Sequence, residues 1–87
     1  MEKGTKALTG AQIRAARSLI KWTAEDLARE SQVSLRTIRR AELFDESTSM
    51  TAPNDGAVRR ALEAAGVEFI DENGGGPGVR LRKPNKV

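Results

Sequence analysis

Arg36, Arg39 and Arg40 fall within five consecutive positions, Arg59 and Arg60 form a pair, and Arg80, Arg82, Lys83 and Lys86 load the C-terminus. A guanidinium is a planar fork of N–H donors that suits carboxylates, phosphates and the edge of a guanine base. Most charge runs are solvated faces, so these clusters alone define no partner. The overall balance is mild, with fifteen Lys and Arg against twelve Asp and Glu, a net charge of +3 and a pI near 9.8. With no histidine and no cysteine in the chain, the usual nucleophile and base pairings cannot be built, nor can a disulfide or a thiolate zinc site. Any metal would rest on carboxylates alone. An 87-residue chain also offers little wall for a substrate pocket of about 300 Å³ or more. The reading therefore names no catalytic residue, no metal ligand, no cofactor and no small-molecule ligand.

A chain of this length has room for one domain and buries only about 60% of the surface its unfolded form exposes, a marginality that a second copy would relieve. No apolar run approaches the ~18 residues of a membrane span, and Met1 to Gly10 lack the apolar core of a signal peptide. The expectation is a soluble, cytoplasmic protein without a membrane partner.

The elements that must position the arginines announce themselves by one pattern written three times. An apolar residue precedes a Ser or Thr, and another apolar residue follows four places after it, which is a hydrophobic staple around an N-cap. At Leu8-Thr9-Gly10-Ala11-Gln12-Ile13 Thr9 caps, Gln12 returns the capping-box bond, and a first helix runs to about Ile20. At Trp22-Thr23-Ala24-Glu25-Asp26-Leu27 Thr23 caps, Asp26 is a shorter box partner, and a second helix runs to about Ser31. At Val33-Ser34-Leu35-Arg36-Thr37-Ile38 Ser34 caps a third helix that runs to about Glu42. Phe44 to Pro53 show no period and read as a loop holding at most one helical turn. Val58, Ala61, Leu62 and Ala65 then recur at helical spacing from about Asn54, and Gly66 closes that helix in a left-handed conformation, with Val67 touching Leu62. Beyond it the period becomes two: Val67 and Phe69, then Val79 and Leu81, on either side of the turn-rich Asp71-Glu72-Asn73-Gly74-Gly75-Gly76-Pro77-Gly78, predict a β-hairpin. The glycine triplet has no following Lys-Ser/Thr and opens no helix, so a turn is the better reading than a phosphate cradle.

Two short helices separated by Gln32 and Val33 must cross steeply, which requires a small residue, Ala28, and apolar contacts from Val33 and Ile38. Trp22-Thr23-Ala24-Glu25-Asp26-Leu27-Ala28 followed by Val33-Ser34-Leu35-Arg36-Thr37-Ile38 resembles the helix-turn-helix of phage repressors, Cro proteins and xenobiotic-response-element type regulators. The likeness is close over Thr9 to Glu42 and looser as far as Gly66. It implies a mainly α fold, a bundle of four to five helices, with homodimers on palindromic operators. Carried over residue by residue, it makes Ser34 to Glu42 the recognition helix, entered by Ser34, Leu35, Arg36 and Thr37, with Arg39 or Arg40 reaching a base or phosphate further along. The chain departs from the pattern at Gln32, which stands where glycine is usual and must take a positive φ, at Ala24 in place of a common Gln, and at Ala41 in place of a common Leu.

The chemistry of the side chains agrees. Leu35 is read as an exposed apolar residue suited to a thymine methyl, Arg36 as the bidentate partner of guanine O6 and N7, and Thr23, Arg39 and Arg40 as phosphate contacts. Trp22 reads as a core residue, Arg14 and Arg17 as solvated helix-face charges, and the stretch from Arg80 to Lys86 either as a DNA-backbone contact or as a solubilising tail. The expected organisation is an N-terminal tail over 1–8, a DNA-binding domain over 9–66, and a hairpin with basic tail over 67–87 that serves dimerisation or only caps its own bundle. The functional expectation is a repressor or controller of transcription bound to double-stranded DNA in the nucleoid, of the kind found on mobile elements. The other open reading is a protein-interaction module, an antiactivator or antitoxin built on the same scaffold.

Overall fold

The computed structural model describes residues 7–48 and 50–83. The N-terminal tail up to residue 6, and the end of the basic tail with Lys86, lie outside the described residues. Four helices, α1 (Gly10–Ile20), α2 (Ala24–Ser31), α3 (Leu35–Glu42) and α4 (Ala52–Ala64), are followed by two strands, β1 (Val67–Ile70) and β2 (Gly78–Leu81). The strands pair antiparallel, with Val67 opposite Leu81 and Ile70 opposite Gly78. This is the mainly helical order with a C-terminal hairpin that the sequence predicts.

Each helix starts where its cap does. Thr9 and Gln12 form a full capping box on α1, Thr23 and Asp26 form one on α2, and Ser34 Oγ accepts from the Thr37 amide on α3. The fourth start lies two residues ahead of its expected place. Thr51 accepts from the Asn54 amide, and Pro53 falls in the first turn, where the N–H it lacks would have had no helical partner. The loop before it holds no helical turn among its described residues; instead Ser47 forms a β-bridge with Thr9. Gln32 takes φ 63° as expected, and Lys21, at the end of α1, takes φ 60°. Gly66 follows α4 with φ 106°, a backbone shape that a side chain would strain, and its carbonyl accepts from the Arg82 amide at 2.7 Å to start the hairpin.

The core is one cluster. Leu8, Ile13, Leu27, Ile38, Val58, Leu62 and Val67 are its largest fully buried side chains, one or more from each helix and from β1. Burying each of them contributes about 1.5 to 3 kcal/mol. Trp22 packs half-buried against this cluster, as do Phe69 and Val79, while Ile70 turns outward. Gln12 Oε1 accepts from the Thr9 amide in the α1 cap while its Nε2 donates to the Gly78 carbonyl at 3.0 Å, so one side chain fixes a helix start and holds the hairpin to it.

Candidate nucleic-acid interface

The orientation of α3 follows from which of its residues are buried. Ile38 and Ala41 face the core, and at about 100° per residue the opposite side is the ridge of Arg36 and Arg40. Both side chains are exposed and have no hydrogen-bond or ion-pair partner among the described residues. Arg39 lies on the flank toward α2, where its Nη2 meets Glu25 Oε2 at 2.9 Å. The free phosphate anchor expected at Arg39 is therefore already engaged. Leu35, expected to be exposed, is half-buried, because its place on the same flank turns part of its surface inward. Thr37 is half-buried as well.

Two helix starts flank this ridge. On the α2 side stands Thr23, whose Oγ1 accepts from the Asp26 amide at 3.0 Å while its own amide donates to Asp26 Oδ2 at 2.9 Å. That amide bond and Arg29 hold the Asp26 carboxyl below its ordinary value. On the other side, a groove of about 200 Å³ runs from Arg36, Thr37 and Arg40 to Met50, Thr51 and Asn54 at the start of α4. Thr51 and Asn54 escaped the sequence reading. A Thr three residues before an Asn with Pro between them is a cap signature that could have found them. The starts of α2 and α4 put the positive ends of two helix dipoles beside Arg36 and Arg40, each offset by first-turn carboxylates, Glu25 and Asp26 on α2 and Asp55 on α4.

Most of the remaining arginines are committed elsewhere; Arg60 on α4 is the exception, exposed and with no hydrogen-bond or ion-pair partner among the described residues. Arg17 Nε and Nη2 grip both oxygens of Glu42 at 2.7 and 2.8 Å, and Nη1 donates to the Trp22 carbonyl at 2.9 Å. The hydrogen bonds to Glu42 raise the Arg17 pKa above its ordinary value. Arg14 donates to the Glu42 carbonyl and pairs with Asp45. These two side chains are ties between α1 and the end of α3, not the solvated charges expected of them. Arg59 lies over the Phe69 ring, 5.1 Å from its centroid, and Arg80 pairs with Glu68 across the hairpin at 3.2 Å. Arg82 donates to the Glu63 carbonyl at 3.1 Å.

Among the described residues no group of three carboxylates is placed to hold a metal ion, and no helix is long and apolar enough to cross a membrane. Comparison with protein-family models and with curated proteins finds no match to this sequence.

Proposed function

We propose that the chain is a DNA-binding transcriptional regulator in which α2 and α3 act as a helix-turn-helix and α3 enters the major groove. The observation that carries this reading is the outer ridge of Arg36 and Arg40, two guanidinium groups with no partner among the described residues. Flanking helix starts capped by Thr23 and Thr51 support it, since amides at a helix start suit phosphate oxygens. In this reading Arg36 and Arg40 reach base edges, Leu35 and Thr37 line the edge of the contact, and Ser34, Thr23 and Arg39 lie nearer the backbone. A second copy related by a two-fold axis would place two such helices about 10 to 10.5 base pairs apart on one face of the duplex. The hairpin is the element proposed to join the copies, because two strands alone leave both sheet edges open and Ile70 is 37% exposed.

Selection of bound duplexes from a random pool tests the reading. It expects an enriched two-fold symmetric site, and it expects Arg36→Ala to lose preference at one position of each half-site, since one bidentate contact is worth about 1 to 3 kcal/mol of discrimination. A pool that emerges unenriched would contradict it.

One feature favours the second reading, a protein-interaction module. Leu43 and Phe44, just after α3, are 77% and 48% exposed, and adjacent bulky apolar side chains on a surface suit a protein partner. Under that reading the scaffold binds a regulator without touching DNA, so Leu43→Ser abolishes partner binding and the wild-type protein leaves the duplex pool unenriched.

A further inference from the structure

Glu25 sits in the first turn of α2, beside the Thr23 cap, and holds Arg39 on the flank of α3. The two side chains are 58% and 61% exposed, so water and salt screen the pair and Arg39 exchanges partners readily. Arg36 and Arg40, next along the same helix, have no carboxylate to leave. The acidic side chain therefore stands on the very face that phosphate must approach, and it already occupies one of the three guanidinium groups of α3.

We propose that Glu25 is an affinity gate: duplex DNA can recruit Arg39 only by displacing Glu25 from it, and the displaced carboxylate then faces the polyanion. The inference rests on the DNA-binding reading above. Arg39 trades one anionic partner for another on docking, so it adds little net attraction to any sequence. Sequence-independent affinity stays low, and the contacts of Arg36 and Arg40 with base edges weigh more in the ratio of specific to non-specific binding. Glu25 thus sets specificity without touching a base.

The test is fluorescence anisotropy of a labelled random-sequence duplex, titrated with the intact protein over a series of salt concentrations. Four proteins are compared: wild type, Glu25→Gln, the double variant Glu25→Gln/Arg39→Gln, and Glu72→Gln, which removes the same charge from the hairpin turn. Glu25→Gln is expected to tighten binding about three- to tenfold at low salt and to steepen the slope of log K against log salt by about 0.9, one additional phosphate contact. The double variant is expected to return to the wild-type affinity and slope, and Glu72→Gln to shift affinity by less than twofold. Glu25→Gln binding that is weaker than wild type, or changed no more than Glu72→Gln, would overturn the gate while the wild-type affinity leaves the DNA reading standing. A wild-type protein that ignores the duplex at every salt concentration overturns both.

Discussion

Arg14 and Arg17 on α1 and Arg36 and Arg40 on α3 are the same residue type with opposite fates. The α1 pair meets the Glu42 carboxylate, two backbone carbonyls and Asp45, and so binds the end of α3 to α1. The α3 pair meets none of these and projects from the surface. A guanidinium becomes structural where the fold supplies its acceptors and stays open to an outside acceptor where the fold supplies none. The contrast extends to the backbone: the α1 amide of Gly10 donates to the Glu46 carbonyl, and Thr48 donates to Leu8, so the segment after α3 is stitched to α1 while the outer side of α3 stays open.

Substitutions that open the stitched side should cost stability, and those on the open ridge should not. The largest effect is expected at Gly10, where a Cβ would lie 1.8 Å from the Phe44 oxygen and 2.5 Å from that of Ala41. Both are backbone atoms that cannot turn aside. Gly10→Ala should lose about 3 kcal/mol or more, read from the midpoint of urea unfolding. A loss under about 1 kcal/mol would mean that this segment is not held against α1.

Glu42→Ala comes next, because it strands the half-buried Arg17. A loss of about 2 kcal/mol is expected, below the cost of breaking a fully buried pair. Arg36→Gln, by contrast, should stay within about 0.5 kcal/mol of wild type. Equal losses at the two sites would erase the distinction between tie and reader.

Gln12→Ala removes both a capping box and the tether to Gly78, at about 1 to 2 kcal/mol. Proteolysis within 71–77 should quicken in this variant if the tether holds the hairpin. The smallest effect concerns acid. Thr23 and Arg29 lower the Asp26 pKa, so the stability that this carboxylate contributes is present above its unfolded value and is lost as pH falls through the lower folded one. Asp26→Asn should therefore lose stability at neutral pH and show a shallower decline below about pH 4, near the ordinary Asp value.

Features whose cause lies within a few residues were legible in the sequence. Thr9, Thr23 and Ser34 cap helices through bonds that reach three positions along the chain, and the left-handed Gln32 was expected from the resemblance, which puts it where glycine is usual. The start of α4 was misplaced because Pro53 signals both loop and first helical turn, and only Thr51 separates the two. The Arg17–Glu42 grip spans 25 positions and the Gln12–Gly78 tether 66; no local pattern encodes either. At the candidate site the outward ridge of Arg36 and Arg40 follows from the phase of α3, set by Ile38 and Ala41. That Arg39 meets Glu25 depends on how α2 and α3 cross, which pattern alone does not specify.

The most direct test of the account is to follow backbone amide NMR signals of the intact protein as a duplex carrying its selected site is added. The account predicts shifts concentrated in α3 around Arg36 and Arg40 and at the starts of α2 and α4, near Thr23 and Thr51, with the Gly10–Glu46 contact unaffected. Shifts centred on Leu43 and Phe44, or none at all, would contradict it.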